Sequence, residues 1–340
     1  MRAAVYYNNR DVRVEVLPRP SIKDGEILVR IEAAGICGSD VMEWYRLKKA
    51  PLVLGHEVAG TVEEAGGAVS SFKKGDRVTV AHHVPCNTCR HCLAGNHTVC
   101  DTLRKTNFDP GGFCEYVRVP AINVDRGVFH LSESVSFEEG TFSEPLGCVL
   151  RGMRMAGMGP GKSVLVIGSG VSGLLHVKLA RALGAGFIAA TDINDFRLAQ
   201  AKRFGADLTL KAEDDSAAAI MEASGRLSDI VFLCVAHDPA IAQAIESVER
   251  GGCVIFFAPK EPEATYPMPL FRIWQAGVTI KNTYASAPAD TLTALDLISS
   301  GAVTVKDMIT HRLGLDETQT GFRLVSGAGE SMKVIIEPQR

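Results

Sequence analysis

Lys162–Leu183 reads KSVLVIGSGVSGLLHVKLARAL. Its first part is a continuous apolar run, as expected of a parallel strand covered on both faces. Glycines then close the run in the pattern G-x-G-x-x-G at Gly168, Gly170 and Gly173, and a helical stretch follows to Leu183. Such glycines permit a tight turn and let the backbone approach a pyrophosphate. The helix beginning around Val171, Ser172 and Gly173 would offer unpaired N–H groups and a partial positive charge. A second apolar strand, Phe187–Thr191 (FIAAT), ends at Asp192, about twenty residues on, where a carboxylate can accept hydrogen bonds from both hydroxyls of a ribose. The glycine pattern alone would be an ordinary strand-to-helix turn. With strand, helix and acid in order it predicts dinucleotide binding.

The same texture continues outward. Strands predicted at Leu208–Leu210, Asp229–Val235, Cys253–Phe257 and Val278–Lys281 alternate with helices over 195–205, 216–224 and 239–249. That alternation predicts an α/β doubly wound parallel sheet. Upstream, residues 1–120 alternate apolar and polar positions in short runs such as Glu26–Glu32 (EILVRIE) and Asp76–Val80 (DRVTV), broken by Gly, Pro and Asn. This pattern predicts a small β-barrel with long loops. Downstream, Leu292–Ser299 reads as a helix and Ser331–Glu337 as a closing strand.

A chain of 340 residues suits two domains. With 46% apolar and 22% charged residues it has ample surface to bury, which argues against disorder. The net charge is −3 and no block of basic residues occurs, so nothing points to nucleic acid or an anionic membrane. No apolar stretch reaches the ~20 residues that span a bilayer. The opening MRAAVYYNNRDVRVEVLP lacks the apolar core of a signal peptide, so a cytoplasmic location is expected.

Nine cysteines is an unusual number, and Cys86, Cys89, Cys92 and Cys100 cluster. Four thiolates in one loop can close a tetrahedral site around a structural zinc, leaving no position for water. An iron–sulfur cluster, a redox pair or free structural cysteines are the other readings. Three further segments carry candidate ligands: Cys37 in GICGSD, His56 and Glu57 in GHE, and Glu144 in SEP. Each is bland alone. Together they offer the thiolate, imidazole and carboxylate of an open catalytic zinc site.

GICGSD, GHE, C-x2-C-x2-C-x7-C, G-x-G-x-x-G and a late ITHRL follow one another over nearly the whole chain. In this order they resemble the zinc-containing medium-chain dehydrogenase/reductase family, with alcohol, sorbitol and threonine dehydrogenases as relatives. The resemblance implies a GroES-like catalytic domain from residues 1–149 and 287–340, and a Rossmann NAD-binding domain over 150–286. It implies that Cys37 and His56 bind a catalytic zinc, that Glu57 or Glu144 completes the site, and that Cys86, Cys89, Cys92 and Cys100 hold a structural zinc. Ser39 matches the hydroxyl that passes on the substrate proton, and Arg197 a basic residue near the adenosine ribose. The expected reaction moves a hydride between a secondary alcohol or polyol and NAD, giving a ketone. A threonine-type amino alcohol dehydrogenase and a non-catalytic binding protein on the same scaffold are the alternatives. A homo-oligomer, tetramer or dimer, is expected from the same resemblance.

Two departures stand out. The family often carries a histidine five residues after the first ligand, and here that residue is Met42. An arginine of the sorbitol branch aligns with Ala285 or Ser286. The short loop after Ser39 suggests an apolar substrate wall of Met42, Trp44, Tyr45 and Phe108. Asp192, with Asp195 close behind, predicts NAD over NADP, because a 2′-phosphate would bring about −2 charge to the same place.

Overall fold

The computed structural model describes residues 1–340, and the chain divides into two units: Met1–Gly147 with Ala285–Arg340, and Cys148–Tyr284. In the second unit six strands run in the order Leu208–Lys211, Phe187–Asp192, Ser163–Ile167, Ser228–Leu233, Val248–Phe256, Thr279–Asn282. All neighbours are parallel. Ser163–Ile167, with both faces covered, is buried at every residue, which is why it reads as unbroken apolar sequence. Helices Val171–Ala182, Asp195–Arg203, Ser216–Ser224 and Asp238–Ser247 join the strands. Asn194 and Asp215 cap two of them, their side chains accepting backbone N–H bonds. The expected doubly wound sheet is therefore present.

In the first unit Ile27–Gly35 pairs antiparallel with Glu57–Ala65, which pairs with Arg77–Ala81 and then Val128–His130. Tyr116–Val119 lies on the other edge of Ile27–Gly35, beside its first half. The C-terminal strand Lys333–Glu337 pairs with the end of Ile27–Gly35 through Ile335↔Gly35 and Ile336↔Ala34, and with Ile309–Gly314. The tail thus completes the barrel that the N-terminal part begins. An apolar core of Ile31, Val58, Val62, Phe113, Phe322 and Ile336, among others, fills it.

In the segments expected as long loops of residues 1–120, short helices Glu43–Arg46, Arg90–Leu93 and Asp101–Lys105 form, each where strand alternation is lacking. Helices Leu270–Ala276 and Thr318–Ser326 add to the elements read from sequence. No helix is long and apolar enough to cross a membrane.

Candidate active site

Strand register assembles the first site. Gly35 is paired with Glu57, so the residues just past one strand and just before the other meet at the same end. Cys37 follows Gly35 by two residues and His56 precedes Glu57. The donor atoms of Cys37, His56 and Glu57 lie within 4.8 Å of one another. Gly55 makes the turn into His56 at φ +92°, and a Cβ there would meet the Phe113 backbone at 2.9 Å.

Cys37 caps the 3₁₀ turn Gly38–Val41. Its Sγ accepts from Ser39 N at 3.4 Å, while Asp40 Oδ2 accepts from Cys37 N at 3.0 Å. Asp40 is fully buried and its Oδ1 lies 3.3 Å from His56 Nδ1. With Nδ1 so engaged, Nε2 is the nitrogen left for a metal. Burial would raise Asp40 and lower His56. Their mutual attraction outweighs both effects, holding Asp40 below the usual carboxylate range and His56 well above the usual imidazole one. Metal binding here would displace that proton.

Glu57 is also buried and pairs with Lys333, whose Nζ is 3.5 Å from Ile36 O and 5.4 Å from the Phe142 ring. A Cβ at residue 35 would collide with this pair, so the glycine there is required by close approach. Glu144, in the first turn of Ser143–Ala156 and buried, is not among the three clustered donors.

Ser39 meets a residue that the motifs did not single out. Arg46 Nε donates to Ser39 O at 2.9 Å, and its Nη2 donates to Ser39 Oγ at 3.1 Å and Asp40 Oδ1 at 3.3 Å. The His82 ring is tilted against both neighbours, its centre 4.9 Å from that of His56 and 3.9 Å from that of His83. Its Nδ1 is buried without a partner, and burial first, then the charges of His83, His56 and Arg46, keep it well below the usual range. The apolar wall expected from sequence is corrected at two points. Phe108 is 2% exposed inside the barrel core, and Tyr45 is flanked by the cations of Arg46 and Lys49. Phe108 is drawn into the core by the bridge between Asp109 and Arg118 that folds its loop onto the barrel.

The second donor group is Cys86, Cys89, Cys92 and Cys100, whose sulfurs also lie within 4.8 Å of one another. Cys86–Cys92 and Cys89–Cys92 are separated by 4.0 and 3.6 Å. Four thiolates at about 2.3 Å from one zinc sit about 3.8 Å apart, so the group fits a closed tetrahedral site. Backbone and hydroxyl donors of Thr88 push Cys86 down to about 5, whereas burial pushes Cys92 up to about 12. The three-donor group offers sulfur, imidazole and carboxylate, one donor fewer than a closed tetrahedral site, which fits an open zinc site.

In the second unit, Gly168 holds φ +90° and a Cβ on Gly173 would strike the Gly168 carbonyl. Helix Val171–Ala182 begins there, so the N–H groups of Val171, Ser172 and Gly173 fall in its first turn. Asp192 ends its strand with Oδ2 accepting from Ser169 N at 2.7 Å and Oδ1 from Asn194 N at 2.9 Å. Its carboxylate therefore lies against the glycine loop. Arg197 Nη1 is 3.9 Å from where a Cβ on Gly170 would be, and Arg197 Nε is buried with no acceptor. The glycine turn, the first turn of the helix, Asp192 and Arg197 thus lie together at the ends of two neighbouring strands.

Comparison with known proteins agrees with both units. Residues 23–126 match the alcohol dehydrogenase GroES-like domain and residues 172–300 the zinc-binding dehydrogenase family. The chain is 34% identical to L-threonine 3-dehydrogenase of Bacillus velezensis, covering 99% of each chain. It is 30% identical to sorbitol dehydrogenase of Bacillus subtilis, over 100% of this chain and 98% of the relative. A Sinorhizobium meliloti protein solved bound to NADP matches with a TM-score of 0.88 at 28% identity, over 99% of each chain. The chain belongs to the zinc-containing medium-chain dehydrogenase/reductase family. Within it, the chain is a zinc-dependent oxidoreductase of the alcohol and polyol class, working with a nicotinamide cofactor.

Proposed function

We propose that the chain oxidises a secondary alcohol or polyol to a ketone with NAD, and catalyses the reverse reduction. The observation that carries this is the convergence of Cys37, His56 and Glu57 within 4.8 Å, next to Ser39. Cys37 and His56 would hold the catalytic zinc, with Glu57 or Glu144 completing the set, and Cys86, Cys89, Cys92 and Cys100 a structural one. When bound, the first zinc supplies Lewis acidity at the substrate oxygen, and the nicotinamide takes the hydride.

Ser39 receives the substrate proton. One of its lone pairs is occupied by Arg46 Nη2 at 3.1 Å, so the other accepts from the substrate while its own O–H donates onward. A guanidinium does not take up a proton, so the proton leaves Ser39 toward solvent and not through Arg46. Asp40 fixes the His56 ring, and Lys333 offsets the charge of Glu57.

NAD is favoured over NADP by Asp192, which would meet a 2′-phosphate with like charge. Arg197 softens that preference without reversing it. Assembly into a homo-oligomer is supported by the edge strand Thr279–Asn282 and by helix Leu270–Ala276, where Leu270, Phe271 and Trp274 are exposed. The reading is tested by a panel of alcohols, polyols and amino alcohols, following reduced nicotinamide. Turnover of threonine alone would select the amino alcohol reading instead.

A further inference from the structure

The loop after Ser39 carries more positive charge than proton transfer requires. Arg46 uses Nε and Nη2 on Ser39 and Asp40, and both N–H bonds of Nη1 are left without an acceptor. The side chain keeps 13% exposure. Arg46 and Lys49 flank the same ring: Arg46 Cζ is 4.7 Å and Lys49 Nζ 5.7 Å from the centre of Tyr45. Lys49 is exposed and has no carboxylate partner. Asp40 is the one acid paired with this group, and its Oδ1 is shared with His56. Arg46 is thereby held beside Ser39 with donors to spare, and Lys49 shares the Tyr45 ring, while Glu43 of the same turn accepts from Asn9 N.

We propose that Arg46 and Lys49 form a subsite for an anionic substituent of the substrate, a carboxylate or phosphate monoester carried close to the carbinol carbon. This rests on the dehydrogenase reading and names the substrate class within it. Arg46 is already fixed by three hydrogen bonds, so little side-chain freedom remains to be lost on binding. Its spare N–H donors make charge-assisted bonds of the kind that select anions over neutral hydroxyls. Lys49 adds a point charge 5.7 Å from the centre of the same ring.

The test compares kcat/KM for three matched secondary alcohols: a neutral diol, a hydroxy carboxylate and a hydroxyalkyl phosphate. The unmutated enzyme should prefer one of the anionic substrates over the diol by roughly ten- to hundredfold, the worth of a hydrogen bond to a charged group. Arg46→Gln should remove most of that preference, and Lys49→Gln part of it. Arg46 also holds Ser39, so Arg46→Gln will slow every substrate; the ratio between substrates is what decides. A second readout needs no turnover. Calorimetric titration of the zinc-loaded chain with inorganic phosphate and with acetate should show binding that weakens roughly tenfold in Lys49→Gln, an exposed position, and at least as much in Arg46→Gln. Tighter phosphate assigns the site to a phosphate monoester, tighter acetate to a carboxylate. Equal anion binding in all three proteins, or a substrate ratio unchanged by Arg46→Gln, overturns the proposal. If no alcohol is oxidised, the dehydrogenase reading fails, and the titration still decides whether the anion subsite exists.

Discussion

Glu57 and Lys333 meet as an ion pair with both side chains 1% exposed, at the end of the barrel where Cys37 and His56 also lie. The pair joins the GHE motif to the closing strand of the chain. Removing one partner would leave a buried charge uncompensated, which typically costs 3–5 kcal/mol, about that much here. Lys333→Met should therefore lower the urea midpoint of the protein markedly. Glu57→Gln with Lys333→Met should recover part of the loss, because neither charge then remains. If Lys333→Met unfolds at the unmutated midpoint, the pair contributes nothing to stability.

Ser39→Ala should reduce kcat by about two orders of magnitude if the hydroxyl relays the proton. A decrease of under threefold would make Ser39 a turn residue, held by Arg46 for structural reasons only.

The four-cysteine lobe should lose its metal in Cys92→Ser, with weaker folding or assembly as the main consequence. Cys92 lies within 4.0 Å of both Cys86 and Cys89 sulfurs, so its loss opens the tetrahedron. Metal analysis of the intact protein checks the assignment: absence of metal attributable to this lobe would refute it.

A pH effect belongs to the second unit. His176 is buried against Phe232 and Phe257, and burial pushes its imidazole down to about 4. Its folded value lies below the unfolded value of about 6.5, so the unfolded chain binds more protons in between. Stability from keeping His176 neutral is complete above about pH 6.5 and is lost as pH falls toward 4. His176→Phe should flatten this part of the stability profile. An unchanged slope across that window would show that His176 does not titrate on unfolding.

The proposed preference for NAD makes a prediction at Asp192. At roughly 4 Å and an effective dielectric near 20, each unit of repulsion with a 2′-phosphate costs about 4 kcal/mol before relaxation and screening. Asp192→Ala should raise KM for NAD and narrow the gap to NADP. Part of the rise will come from losing the Ser169 N bond at 2.7 Å that ties Asp192 to the glycine loop. Equal or better kcat/KM with NADP in the unmutated protein would reverse the assignment.

The elements that local sequence dictates were legible. The strand at Ser163–Ile167, its glycine turn and Asp192 all follow from burial and backbone geometry within thirty residues or so, and the cysteine lobe from spacing. What was not legible depends on long-range register. Lys333 reaches Glu57 only because Lys333–Glu337 pairs beside Ile27–Gly35, and no local pattern marks it. Arg46 lies seven residues past Ser39, in a segment with neither helical nor strand periodicity, and only the turn of Glu43–Arg46 brings it back. Phe108 reads as a free loop aromatic until the fold closes over it. The motifs leave open whether Glu57 or Glu144 supplies the carboxylate, and Glu57 is the one whose donor atom clusters with Cys37 and His56.

The account rests on two separate metal groups with different duties, and Cys37→Ala tests it most directly. Zinc content, turnover and nucleotide binding should be measured on the same preparation. The expected result is one zinc lost per chain and one kept, turnover abolished, and nucleotide affinity nearly intact, since Cys37 and the glycine loop belong to different units. Full turnover in a Cys37→Ala protein verified to lack that zinc would contradict it.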